Sequence, residues 1–160
     1  MNNQLAGDKL VAKSALLAEK WHEGQRHSFG EESYFKMHLE PVARIVRRLG
    51  YENTFIATAY LHDIKEDTDI TDEQLLAEGI PKEIVGAVNL LSKSDDQSHD
   101  DYLAGILTSP LAIVVKYCDS SFNFSNTILN SADMSDEDFK RRSSKYAHNI
   151  AILQPKLSKH

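Results

Sequence analysis

What this 160-residue chain lacks narrows its chemistry first. Its one cysteine, Cys118, has no partner for an internal disulfide, and such sparing use fits a reducing compartment. Seven glycines and four prolines are scattered, so no Gly-rich phosphate loop can form. Neither a Walker-type signature nor a GxGxxG occurs, which argues against binding ATP or a dinucleotide by those routes. No apolar run is long enough to span a bilayer, and no basic stretch leads into an early apolar segment. We therefore expect no signal peptide and no membrane partner, and a cytoplasmic location. Positive charge is also short: 18 Lys and Arg stand against 24 Asp and Glu, a net charge of −6. A nucleic-acid surface needs the opposite, so no nucleic-acid partner is expected. A small anionic substrate stays open, because a bound divalent cation inverts the local field.

What is present reads as one globular domain over residues 1–160. The hydrophobic share of 41% and charged share of 26% are ordinary, and the length suffices for one sizeable core. After a loose start at residues 1–8, Leu10, Val11, Ala15, Leu16, Ala18 and Trp21 recur at helical spacing over 8–24. Residues 25–33 read as a loop. A second helix over 34–49 buries Phe35, His38, Val42, Ile45, Val46 and Leu49, and Gly50 stops it. Asn53 caps a third that runs to about Thr68, and Thr71 opens a short fourth that Gly79 ends. Pro81 begins a fifth helix through Leu91, and residues 100–108 make a sixth. Pro110 starts a seventh over 110–119, whose β-branched run is read as helix because no partner strand is apparent elsewhere. A last helix over 136–154 carries Phe139, Tyr146, Ile150 and Leu153 on one stripe and is read as a packing helix. The expected fold class is an all-α helical bundle.

The densest chemistry lies in Ala59-Tyr60-Leu61-His62-Asp63-Ile64-Lys65-Glu66-Asp67-Thr68. On one continuous helix, His62 and Glu66 would share a face, as would Asp63 and Asp67. The run reads either as part of a metal site or as a solvated helix end with one satisfied histidine. A cation held by helices needs ligands from more than one of them. His38 lies on an apolar stripe, and Asp119 ends a very apolar segment where an unpaired carboxylate is costly to bury. Each has a plain structural reading too, a core histidine bonded to a carbonyl and a helix-end aspartate. Together they complete the order His, His-Asp, Asp, a mixed imidazole and carboxylate set suited to Mn, Fe, Co or Zn rather than Ca.

That order resembles the HD-domain metal-dependent phosphohydrolases, and more closely the hydrolase domain of the RelA/SpoT homologues and the small alarmone hydrolases. Three stretches within about residues 10–130 carry the resemblance. The first comprises His22-Glu23-Gly24-Gln25-Arg26, Gly30-Glu31, Tyr34 and His38-Leu39-Glu40-Pro41-Val42-Ala43. The second is Leu61-His62-Asp63-Ile64-Lys65-Glu66-Asp67-Thr68, similar to the family's His-Asp-x-x-Glu-Asp-Thr signature. The third is Tyr102-Leu103 with Val115-Lys116-Tyr117-Cys118-Asp119 and Asn123.

The resemblance implies an all-α HD-domain bundle holding one Mn²⁺-like ion, and removal of the 3′-pyrophosphate from (p)ppGpp. It implies His38, His62, Asp63 and Asp119 as metal ligands, and Glu66 and Asp67 as the pair that positions and deprotonates the attacking water. Arg26 and Asn123 match substrate-binding residues, so the expected partner is a small phosphorylated nucleotide. The chain departs from the pattern in a longer loop over 27–33, in Leu39 for a proline, and in Ser120-Ser121-Phe122 where a basic residue follows the last ligand. Fewer cations are then expected near the phosphates. Two alternatives follow: an HD-domain phosphatase for another nucleotide, such as a nucleoside monophosphate or NADPH, and a nucleotide-binding regulatory module without turnover. The segment after Asn130 matches no motif, and nothing in the sequence decides for or against a homo-oligomer.

Overall fold

The helical spacing of the apolar residues is realised over most of the described residues, although Leu16 and Leu49 of the expected stripes are exposed. A computed structural model describes residues 2–27 and 31–157, so Ser28, Phe29 and Gly30 of the expected loop and motif lie outside the described residues. Among the described residues the only extended pairing is an isolated bridge between Arg26 and Ser33. The helices are α1 (Asn2–Trp21), α2 (Glu40–Arg48), α3 (Asn53–Leu61), α4 (Ile64–Asp67) and α5 (Asp72–Ala77). They continue as α6 (Lys82–Leu91), α7 (His99–Ile106), α8 (Pro110–Leu129) and α9 (Asp136–Leu153). The expected all-α fold is therefore the one observed.

Three expectations about element bounds change. The start is not loose, since α1 begins at Asn2. The helix expected from Asn53 to Thr68 is broken: α3 ends at Leu61, and Asp63, at φ −100° and ψ −1°, caps the short α4. The helix expected to end at Asp119 runs on to Leu129, because Ser120 and Thr127 continue its buried face. Asp119 is consequently a buried mid-helix residue rather than a helix-end one.

Ahead of α2 the chain makes a π-helical turn over Phe35–Leu39, in which the Glu40 N–H reaches back to the Phe35 carbonyl. Pro41 follows directly, without an N–H to continue the ordinary ladder and with a ring that crowds the preceding turn. Such one-turn widenings commonly carry functional side chains, and this one carries His38.

Small side chains let the central α3 sit close to its neighbours, with Ala57 and Ala59 fully buried. At the start of α3 a Cβ on Gly7 of α1 would lie 2.3 Å from Asn53 Nδ2, so a larger residue there would push the Asn53 side chain aside. One apolar cluster joins α2, α3, α7 and α8 around Val46, Ile56, Ile106 and Val115. A second gathers Leu17, Leu39, Leu61, Ile64, Leu75 and Ile84. His38, His62 and Asp119 are buried polar groups among these apolar residues.

Candidate metal centre

Three segments distant in sequence deliver four polar atoms to one point. His38 comes from the π-helical turn, His62 and Asp63 from the break between α3 and α4, and Asp119 from the middle of α8. His38 Nε2 lies 3.2 Å from His62 Nε2, 3.3 Å from Asp63 Oδ2 and 3.2 Å from Asp119 Oδ1. His62 Nε2 lies 3.0 Å from Asp63 Oδ2 and 3.7 Å from Asp119 Oδ1. Ligands about 2.1 Å from a shared cation and at right angles to one another stand about 3 Å apart. His38, His62 and Asp63 form the tightest trio, within 4.8 Å of one another, and Asp119 joins it through both histidines. The donor set fits a divalent cation of the imidazole- and carboxylate-binding kind.

Groups around the four atoms fix their orientation. His62 Nδ1 lies 2.7 Å from the Ala59 carbonyl, so it carries the hydrogen and leaves Nε2 bare for a cation. Tyr34 donates its hydroxyl to Asp63 Oδ2 at 2.6 Å. Asp119 accepts from Lys116 Nζ at 2.8 Å and from Asn123 Nδ2 at 2.6 Å.

The opposite charges of the cluster hold one another in their charged forms. Burial pulls both histidines down, but the Asp63 and Asp119 carboxylates outweigh it, raising His38 and lifting His62 to about 10. Burial raises the two carboxyls, yet His62 beside Asp63 and Lys116 beside Asp119 hold both well below the ordinary carboxylate range. Tyr34 is pushed far above its usual value by burial and by Asp63.

A cavity of about 190 Å³ opens over this centre. Of the other residues singled out in the sequence, Glu66 and Asn123 line it. Glu66 is raised from its ordinary value, first by desolvation of its carboxyl and then by Asp63. Asp67 is instead held by Gln25, whose Nε2 donates to Asp67 Oδ2 at 2.9 Å. Arg26 is exposed and donates to the Glu31 carbonyl; it does not line the cavity.

The sequence reading missed the far wall. Arg142, Lys145 and Tyr146 of α9 line the cavity together with His27 and Lys116. The helix read as packing alone therefore also brings cations to the cavity, where the sequence led us to expect few. The available signal was their spacing, since residues three and four apart share a helix face. Lys145 also lies 5.6 Å from the Tyr146 ring centre.

No protein-family model matches the chain. It is 30% identical over 149 residues, 93% of its length, to a Synechocystis sp. protein named "Probable guanosine-3′,5′-bis(diphosphate) 3′-pyrophosphohydrolase", of which it covers 15%. To a Haemophilus influenzae protein named guanosine-3′,5′-bis(diphosphate) 3′-pyrophosphohydrolase it is 39% identical over 80 residues, 49% of the chain and 12% of that protein. A Vibrio cholerae protein of the same name is 36% identical over 85 residues, 52% of the chain and 12% of that protein. The chain thus spans a small fraction of the length of the curated relatives it matches. Among solved structures, that of a metazoan ortholog of SpoT, described as hydrolysing ppGpp, superposes with a TM-score of 0.71 at 19% identity. The match covers 90% of this chain and 84% of that one, and establishes a common fold.

Proposed function

We propose that this chain, which is related in sequence and fold to the HD-domain hydrolases of the RelA/SpoT homologues, is a divalent-metal-dependent phosphohydrolase of phosphorylated purine nucleotides. The substrate that its relatives' names favour is guanosine-3′,5′-bis(diphosphate), cleaved at the 3′ position. The observation that carries this reading is the meeting of His38, His62, Asp63 and Asp119 at 3.0–3.7 Å beneath a cavity with cationic side chains. We take those four as the metal ligands and Mn²⁺ as the ion, since a mixed imidazole and carboxylate set suits it. A bound divalent cation there supplies Lewis-acid polarisation of a phosphoryl oxygen and acidifies water.

The chain's own groups do the rest. The raised Glu66 carboxyl is a stronger base than an ordinary glutamate and takes the proton of the attacking water. Asp67 helps to orient that water. A bond forms from the water oxygen to the phosphorus attached to the ribose O3′, and the P–O3′ bond breaks. O3′ recovers a proton, giving GDP and pyrophosphate from ppGpp. Lys116, Arg142 and Lys145 offset the charge of the phosphates, and Asn123 steadies Asp119.

The test is pyrophosphate release from ppGpp by metal-stripped protein with and without added Mn²⁺. Release of pyrophosphate and GDP only with metal supports the reading; no release with Mn²⁺ demonstrably bound overturns the substrate. A second reading is favoured by Arg26, which stands outside the cavity lining while α9 supplies cations within it. On that reading the same centre acts on another nucleotide, such as a nucleoside monophosphate or the 2′-phosphate of NADPH. Its product would be orthophosphate.

A further inference from the structure

We propose that Gln25, backed by the buried His22, is a positioning residue that sets the orientation of the Asp67 carboxylate. The inference rests on the phosphohydrolase reading for the role of Asp67, but its geometry stands separately. His22 follows α1 and is 2% exposed. Its Nδ1 lies 2.6 Å from Gln25 Oε1, and Gln25 Nε2 lies 2.9 Å from Asp67 Oδ2.

One assignment of donors satisfies both contacts. An ionised aspartate only accepts, so the Gln25 amide nitrogen faces Asp67 and its carbonyl faces His22. His22 must then carry its hydrogen on Nδ1. Its own distance to Asp67 Oδ2 is 3.9 Å, beyond hydrogen-bonding range, so His22 acts on Asp67 only through the amide.

The relay is held at both ends. The Gln25 N–H donates to the His22 carbonyl at 3.0 Å, and the Gln25 carbonyl accepts from the Tyr34 N–H at 2.9 Å. The His22 ring also rests 5.4 Å from the Tyr34 ring, whose hydroxyl holds Asp63. One wall therefore aims two acidic side chains of the central motif: Asp63 through Tyr34, and Asp67 through Gln25. Packing alone gives no reason for an imidazole here. His22 Nε2 is buried without a hydrogen-bond partner among the described residues, a position that an apolar ring or Leu would fill without an orphaned atom. What the imidazole adds is the Nδ1–H aimed at Gln25. Asp67 is exposed, and without the amide its carboxylate is free to turn into solvent.

The experiment compares Gln25→Ala, His22→Leu, His22→Asn and Asp67→Asn for kcat, KM, Mn²⁺ affinity and melting temperature, with ppGpp as substrate. Loss of an outer orienting group costs about 10–100-fold in activity, so Gln25→Ala and His22→Leu should lower kcat by that factor. KM and metal affinity should hardly move. His22→Asn, whose amide nitrogen takes the place of Nδ1, should recover most of the loss at a melting temperature no higher than that of His22→Leu. An unchanged kcat in Gln25→Ala while Asp67→Asn is impaired overturns the relay. An unimpaired Asp67→Asn overturns the role of Asp67 on which it rests. Equal impairment of the two His22 variants overturns the part of His22. Independently of turnover, ¹⁵N spectra of the whole chain should show His22 protonated at Nδ1, and the Nε2-protonated form would sink the proposal.

Discussion

His62 and Asp63 are neighbours in sequence, yet their Nε2 and Oδ2 atoms meet at 3.0 Å because the helix stops at Leu61 and both lie in the turn before α4. Asp63 Oδ2 also meets His38 and receives the Tyr34 hydroxyl, so its neighbours leave it little freedom. Asp63→Asn keeps the shape and removes the charge. It should abolish saturable Mn²⁺ binding by titration and lower hydrolysis by about 10²–10³-fold, the factor corresponding to several kcal/mol of lost electrostatic stabilisation. Tyr34→Phe removes only the outer hydrogen bond and should weaken Mn²⁺ by about 10–100-fold with the fold retained, measured in the same titration. Cys118 offers a contrasting case of the same burial. Desolvation, and then the nearby Asp119, push its thiol up to about 12, and it has no exposed surface. It should resist alkylation at pH 8 in the native protein and react once the chain is unfolded.

At the scale of elements, α9 was legible as a helix but not as a wall of the site. Its stripe of Phe139, Tyr146, Ile150 and Leu153 points to packing, and the spacing of Arg142, Lys145 and Tyr146 puts them on one face without telling what that face meets. The break after Leu61 was hidden for the opposite reason. Ala59 to Asp67 holds no glycine or proline to mark a stop, and the break instead accompanies the contacts of Asp63 with His38 and Tyr34. Most helix starts were easier, because caps are local: Thr71 with Gln74 forms the capping box, and Ser109 accepts from the Ala112 N–H ahead of Pro110, whereas Asn53, expected as a cap, is the first residue of α3 behind Glu52. The acidic and imidazole groups of the centre were legible through their order along the chain, whereas the cations lining the cavity from α9 needed the fold. Arg142→Ala should therefore raise KM for a phosphorylated substrate about tenfold with kcat little changed, the size of one charge-assisted hydrogen bond. Lys145→Ala should cost less, since its side chain is exposed and screened. Steady-state kinetics at low and high salt check both, and the wild-type KM should rise with salt towards the variants.

For the molecule as a whole, the centre couples metal, protons and stability. Without a cation the cluster neutralises itself by protonating its histidines. A histidine raised in the folded state contributes stability that is fully present below its unfolded value of 6.5 and is lost as pH rises through the folded one, about 10 for His62. The depressed carboxyls of Asp63 and Asp119 act at the other end. Their contribution is present above 3.8 and is lost as pH falls towards their folded values. Metal-free protein should thus weaken as pH climbs from neutrality, while metal binding, which displaces the histidine protons, should strengthen. Free Mn²⁺ at about 100 times its dissociation constant adds about 2.7 kcal/mol. In a chain of this size each kcal/mol moves the midpoint by about 2–4 °C, which gives a rise of about 5–10 °C. Thermal scans of stripped and Mn²⁺-loaded protein at pH 6 and pH 8.5 should show the larger increment at the higher pH. An increment that is the same at both would mean that the histidines are neutral before the metal arrives. One that persists in Asp63→Asn would place the stabilising ion elsewhere on the chain.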